Sequence, residues 1–320
     1  MLGERSGRLV LGTMTFGEQL DESEAGAVVD LARERGITMF DTANRYADGR
    51  SEEILGRLIA PFRDEVQLAT KVGSARVAGA GTREGRARID AASIRREIDG
   101  SLGRLGVDHV DLYYLHMPDG VTPLEESLGA MHELVVEGKV GAVGISNHAA
   151  WQTVEAHHLA ARYGFTPPTV GQPMYNLLAR RIEEEYLPAS RHLGLANLVY
   201  NPLAGGLLTG KHRGAVDPVP GTRFASRATY RDRYWSEELH GAVEGLAEVA
   251  AEAGITLIAL ALRWLLVQAD VTGMILGVSS VEQLEECTAA AAGPPLEAET
   301  LAACDDVWLR IRGRAPGYNR

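Results

Sequence analysis

Along this chain, short apolar or β-branched runs alternate with longer stretches whose apolar residues recur at helical spacing. The runs RLVLGT (8–13), ITMFDT (37–42), VQLATK (66–71), DLYYLH (111–116), VGAVGIS (140–146), PTVGQ (168–172), NLVYN (197–201) and TGMILG (272–277) predict strands. Helices are predicted over Ser23–Arg35, Ser51–Leu58, Ala91–Leu105, Pro123–Glu137, Ala149–Tyr163, Ile182–His192 and Ser280–Ala290. In the third of these, Ile94, Ile98, Leu102 and Leu105 mark one apolar face. Gly36, Gly106, Gly138 and Gly194 each follow a predicted helix, where a left-handed residue suits the C-terminal cap. The apolar stretch Ile255–Val267 carries Arg263 and falls short of the ~20 residues a membrane helix needs, so it predicts a buried helix.

Strands that alternate with helices run parallel, because each helix returns the chain to the same end of the sheet. The natural closure is an α/β fold, a (β/α)8 TIM barrel; an open doubly wound sheet is the alternative. Three segments stand outside the repeat: a Gly/Arg-rich loop (73–89), a second long loop (202–235), and residues 296–320, which add a C-terminal helix over 297–310 and a basic tail. Loops of that length usually carry function, and here they are expected over the C-terminal mouth. No linker or low-complexity tract divides the chain, so residues 1–320 are read as a single domain.

Charge narrows the partners. The 320 residues hold 32 Lys and Arg against 43 Asp and Glu, a net charge of −11, which argues against nucleic acid. The N-terminus lacks an apolar signal core. Two cysteines, Cys287 and Cys304, make neither a disulfide framework nor a thiolate metal site, and no His/Asp/Glu set has metal spacing. A cytoplasmic protein without metal or membrane partner is expected, as a monomer or a homo-oligomer such as a dimer.

In a parallel barrel the active site lies at the C-terminal strand ends. The polar residues there are Asp41, Lys71, His116, Ser146, Asn147, Gln172, Tyr200 and Asn201, with Tyr46 in the loop after the second strand. Singly each reads as a cap or a rim hydrogen bond; together they read as a site. A free phenol, with a pKa of about 10, is a weak acid near neutrality, and a nearby ammonium stabilises its anion. Lys71 beside Tyr46, held by Asp41, would let the phenol donate a proton to a developing alkoxide, with His116 as a neutral donor orienting the substrate oxygen. This set polarises a carbonyl but lacks a nucleophile, which points to hydride from a nicotinamide cofactor.

The segments GTMTFG (12–17), FDTANRYADGRSEEILG (40–56), ATK (69–71), DLYYLH (111–116), GISN (144–147), YNPLAGGLLTGK (200–211) and ILGVSSVEQLEE (275–286) resemble the aldo-keto reductases, in that family's order and over nearly the whole chain. TYRDRYW (229–235) and the terminal GYNR are similar to the aflatoxin-aldehyde and succinic-semialdehyde reductase branch. The resemblance implies an NADPH-dependent reductase of aldehydes and ketones, with a catalytic tetrad of Asp41, Tyr46, Lys71 and His116. It assigns Ser146, Asn147 and Gln172 to the nicotinamide carboxamide, Tyr200 to the face of its ring, and Gly12 and Met14 to the pocket floor. Asn201, Pro202, Leu203, Gly205, Gly206, Leu208, Gly210 and Lys211 match the loop that folds over the pyrophosphate, and Arg223 and Arg233 match cationic cofactor contacts. Gly277, Ser279, Ser280 and Gln283 match the site of the adenosine phosphate, which implies NADPH (NADP+ after turnover) over NADH. Tyr46, His116, Tyr230 and Arg320 match substrate contacts, Arg320 as a grip on a carboxylate. Cys287 departs from the family, standing where an adenine-contacting Asn is usual, and so does Asn44 in the pocket wall.

GGLLTGKH (205–212) nearly spells a nucleoside-triphosphatase loop, but His212 replaces the Ser/Thr that binds Mg²⁺. His157 and His158 are expected to face solvent, and Trp151, Trp235, Trp264 and Trp308 to be core or rim aromatics. Two further readings share these motifs: a ketoreductase of sugar or polyketide biosynthesis, and a non-catalytic nucleotide-sensing subunit of the same fold.

Overall fold

The computed structural model describes residues 8–74, 85 and 87–313. By its internal packing the chain falls into two compact units. The first comprises Met1–Pro173, Glu184–Tyr200 and Asp270–Glu285; the second comprises Met174–Glu183, Asn201–Ala269 and Glu286–Arg320.

The first unit contains a closed barrel of eight parallel strands in sequence order. They are β1 (Leu9–Gly12), β2 (Met39–Asp41), β3 (Gln67–Val72), β4 (Val110–Leu115), β5 (Val140–Ser146), β6 (Val170–Gln172), β7 (Ala196–Tyr200) and β8 (Gly273–Gly277). This is the (β/α)8 architecture that the alternation predicts. Helices α1 (Glu22–Glu34), α2 (Arg50–Ile59), α3 (Ala91–Leu105), α4 (Leu124–Val136), α5 (Ala150–Tyr163) and α6 (Tyr186–Leu193) follow successive strands. Their ends obey local chemistry. Asp21 and Glu24 form a reciprocal capping box on α1, Asp90 caps α3, and Gly36, Gly106, Gly138 and Gly194 all adopt positive φ after their helices.

Inside the barrel, Val10, Met39, Ala69, Leu112, Tyr114, Leu198 and Ile275 pack into one buried cluster. The lumen is therefore a filled core, and chemistry is confined to the rim. The register sets that rim: Gly12 lies level with Asp41 and Gly277, Asp41 with Ala69, and Ser146 with Gln172. Below it, the enclosed Glu52 of α2 bonds Arg104 of α3 at 2.7 Å and accepts from the Thr70 hydroxyl at 2.5 Å. That ion pair ties two outer helices to β3, the strand that carries Lys71.

The second unit is helical: α7 (Arg223–Ser226), α8 (Ala228–Tyr234), α9 (Glu237–Glu252), α10 (Leu257–Val267) and α12 (Ala298–Ile311), while α11 (Val281–Ala291) starts in the first unit. α9 packs against α10 and α12. Arg180 anchors this unit, bonding Glu183 and Asp305 at 2.7 Å each with its guanidinium 4.7 Å from the Trp264 ring. No single helix among the described residues is long and apolar enough to cross a membrane.

Some expectations change. Residues 202–235 hold a 3-10 segment (Ala204–Thr209) and two short helices, so much of the predicted loop is helical. α9 goes unforeseen; half of its buried face is alanine (Ala242, Ala247, Ala250 beside Val243, Leu246 and Val249), which weakens the periodic signal. The sixth predicted helix starts late, at Tyr186 after a short 3-10 turn. His157, expected to face solvent, is half-buried with Nε2 enclosed, and Trp151 is 70% exposed on α5, outside the core.

Candidate active site

Three strand ends bring the proposed tetrad together. Asp41 closes β2, Lys71 lies one residue from the end of β3, and His116 follows β4. Tyr46 opens a single 3-10 turn, Tyr46–Gly49, that leads directly into α2. The loop carrying it is pinned from below. Ser51, the second residue of α2, donates to the Thr13 carbonyl at 2.7 Å, and its hydroxyl lies 2.9 and 3.0 Å from those of Thr13 and Thr42. Ala47, Asp48 and Gly49 adopt successive positive φ values of 48°, 52° and 93°. Only the glycine does so without cost, so the turn after Tyr46 stores strain that the Ser51 network holds in place.

Lys71 is fully enclosed, and its three donors are all directed. It forms an ion pair with Asp41 Oδ1, donates to the Thr42 carbonyl at 2.8 Å, and donates to the Tyr46 hydroxyl at 3.4 Å. Burial opposes its charge, but the attraction of Asp41 and Tyr46 outweighs that and holds Lys71 above the ordinary lysine value. Gln172 Nε2 donates to the second Asp41 oxygen at 2.9 Å. His116 packs edge-on to Tyr46, with ring centroids 6.0 Å apart.

The other rim residues bond to one another. Ser146 donates to the Gln172 carbonyl at 2.8 Å. Asn147, at φ +57°, donates to the His116 carbonyl at 2.9 Å and accepts from the Tyr200 hydroxyl at 2.7 Å. A continuous girdle of hydrogen bonds thus links the ends of β2, β4, β5, β6 and β7. Gly12 closes β1, where a side chain would come within 2.7 Å of Ile275; Met14 follows it, half-buried. Ser279 donates through backbone and hydroxyl to Gln283 Oε1, at 3.0 and 3.2 Å, while Gln283 N donates to Ser280 Oγ at 3.3 Å. Gly277, Ser279, Ser280 and Gln283 therefore gather at the start of α11, where the helix dipole favours an anion.

The second unit holds the remaining predicted residues. Asn201 is consumed in its own turn, accepting from Gly205 N at 2.6 Å and donating to Tyr234 OH at 2.8 Å. Pro202 and Leu203 complete that turn, and the Leu208 side chain is fully buried, so Leu208 can offer a ligand only its backbone. Gly205 and Gly206 take φ of 71° and 105°, and Gly210 caps the segment at 81°. Arg223 and Arg233 flank the Tyr230 ring at 5.1 and 5.8 Å. Burial, and then the neighbouring Arg223, lower Lys211 below the ordinary lysine value. Among the described residues no carboxylate pairs with Lys211, Arg223 or Arg233. An uncompensated cation cluster beside positive-φ glycines suits a phosphate group. Cys287 is buried, and that burial pushes its thiol up to about 12. Arg320 lies outside the described residues.

Two participants escaped the sequence reading, Ser74 and Glu97. Ser74 Oγ lies 2.8 Å from His116 Nδ1, and Glu97 accepts from Asn44 Nδ2, the pocket-wall departure named above, at 3.0 Å. Serine in a Gly-rich loop carries no signal of its own; only the bend after β3 reveals it. Among the described residues no group of three or more His, Cys, Asp or Glu side chains could hold a metal ion.

The family model "Aldo/keto reductase family" matches residues 8–309. Aflatoxin B1 aldehyde reductase member 2 of Mus musculus is 40% identical, over 97% of this chain and 87% of that protein. Aldo-keto reductase family 7 member A3 of Homo sapiens is 38% identical, over 97% of this chain and 96% of its own length. A probable voltage-gated potassium channel subunit beta of Oryza sativa subsp. japonica is 35% identical, over 89% of this chain and 87% of its own.

Proposed function

Because the chain belongs to the aldo/keto reductase family, an oxidoreductase family that uses NAD(P)H, we propose that it reduces aldehydes to alcohols with NADPH, Tyr46 supplying the proton. One observation carries this reading: a buried ammonium, fixed by Asp41, donates to the Tyr46 hydroxyl at 3.4 Å. The cofactor, when bound, supplies hydride to the carbonyl carbon. As charge builds on the carbonyl oxygen, Tyr46 transfers its proton there, and Lys71 stabilises the phenolate left behind. Asp41 keeps Lys71 charged and aimed, and Gln172 holds Asp41. His116 donates to the same substrate oxygen and orients it.

Each unit, taken by itself, carries groups of the kind a phosphorylated dinucleotide needs. In the first, Ser146, Asn147, Gln172 and Tyr200 suit an amide and a flat ring, and Gly277, Ser279, Ser280 and Gln283 suit the phosphate that distinguishes NADPH from NADH. In the second, the backbone around Gly205, Gly206 and Gly210, with Lys211, Arg223 and Arg233, suits the pyrophosphate. One family model spanning 8–309 supports treating the chain as a single functional domain. Tyr230 and Arg320 are proposed for the substrate side, Arg320 for a carboxylate. Deleting Arg320 should then raise KM for succinic semialdehyde much more than for an uncharged aldehyde.

The deciding experiment is turnover of 4-nitrobenzaldehyde with NADPH and with NADH. Steady turnover that prefers NADPH supports the reading. Tight NADPH binding without turnover would favour a non-catalytic nucleotide-sensing subunit; a probable potassium channel subunit beta is among the relatives.

A further inference from the structure

β3 delivers two functional groups. Lys71 reaches Tyr46, and three residues later Ser74 reaches His116. Gly73 makes this possible. Its φ of +100° turns the chain sharply, and a Cβ there would overlap the Ile89 side chain. The turned Ser74, only 4% exposed, sets its Oγ 2.8 Å from His116 Nδ1.

The His116 main chain is already locked. Its N–H donates to the Val72 carbonyl at 2.8 Å, and its carbonyl accepts from Asn147 at 2.9 Å. The main chain leaves open which ring nitrogen carries the proton; that depends on the partners of the side chain. A neutral imidazole has one N–H and one bare nitrogen, and the partner of one decides the state of the other. A hydroxyl that donates to Nδ1 puts the ring proton on Nε2. Nε2 then donates to a carbonyl oxygen. The opposite tautomer would present a lone pair to that oxygen and repel it.

We propose that Ser74 is a positioning residue, whose hydroxyl donates to Nδ1 and holds His116 as the Nε2–H tautomer beside Tyr46. This rests on the carbonyl-reductase reading only for its kinetic consequence; the tautomer itself is a property of the protein without substrate. Ser74 thus stands to His116 as Lys71 stands to Tyr46, each holding a neighbour by one hydrogen bond while the Tyr46 and His116 rings meet edge-on.

The test compares the wild type with Ser74→Ala and Ser74→Thr. Nitrogen-15 NMR of the histidine side chains, with His116 assigned by its loss in His116→Gln, reads the protonated nitrogen directly. The wild type should show Nε2–H, Ser74→Ala a mixture of tautomers, and Ser74→Thr, which keeps the hydroxyl, the wild-type pattern. In kinetics, Ser74→Ala should lose about three- to tenfold in kcat, the scale of one neutral hydrogen bond. NADPH affinity by fluorescence titration should be unchanged, and Ser74→Thr should recover kcat. Wild type protonated on Nδ1, or Ser74→Ala with an unchanged tautomer, overturns the proposal. A wild type without carbonyl turnover would refute the reductase reading alone, since the NMR result is obtained without substrate.

Discussion

Replacing Lys71 with Met separates the chemistry of the ammonium from its structural duty. At 3.4 Å from the Tyr46 oxygen, a unit charge is worth ~5 kcal/mol to a phenolate at an effective dielectric of about 20. Asp41, paired with the same ammonium, cancels part of that field, which leaves about two to three decades in rate. The substitution also strands a buried carboxylate, a change that typically costs about 3–5 kcal/mol. Burial already pushes Asp41 up from the ordinary carboxylate value, more than Lys71 and Gln172 pull it down, so losing Lys71 makes its charge costlier still. The double variant Asp41→Asn, Lys71→Met therefore removes the stranded charge. We expect Lys71→Met to lower kcat for 4-nitrobenzaldehyde about 100- to 1,000-fold and to lower Tm. The double variant should regain much of the Tm and none of the kcat. Recovery of kcat along with Tm would mean that the ammonium only holds the fold, and the reasoning about the proton would fail.

Other substitutions probe separate claims. Tyr46→Phe should abolish turnover while NADPH binding, followed by fluorescence, stays near normal; undiminished turnover would remove Tyr46 as the acid. His148 is buried with Nδ1 2.8 Å from the Ser146 carbonyl, and burial lowers it from 6.5 to about 4. A depressed histidine contributes full stability above pH 6.5 and loses it as pH falls toward 4, up to about 3 kcal/mol across that window. His148→Asn, which keeps a donor near Nδ1, should flatten Tm between those pH values, and an unchanged slope would contradict the assignment. Ala47→Gly should relieve the positive φ of 48° after Tyr46 and stabilise the protein by about 0.5–1 kcal/mol in urea unfolding. A loss of stability there would show that the turn is unstrained.

The barrel was legible because strand and helix periods are local properties of the chain. The eight apolar runs coincide with the eight strands to within two residues, and the capping glycines fall at the predicted helix ends. The cluster of Asp41, Tyr46, Lys71 and His116 was legible because each lies at or just past a strand end, and a parallel barrel gathers such positions at one rim. α9 was not, since alanine contributes little to an apolar period, and residues 202–235 were not, since short helices held by tertiary packing lack a pattern of their own.

What the residue order determined by itself was the fold and the kinds of side chain at its rim. Their mutual bonding was decided only by closure of the barrel. Gln172 meets Asp41 across 131 positions, Tyr200 meets Asn147 across 53, and Ser74 reaches His116 only because Gly73 bends the chain. A hydrogen bond depends on distance and direction between atoms, and neither is encoded in spacing along a chain once that chain has passed through several turns of helix and strand.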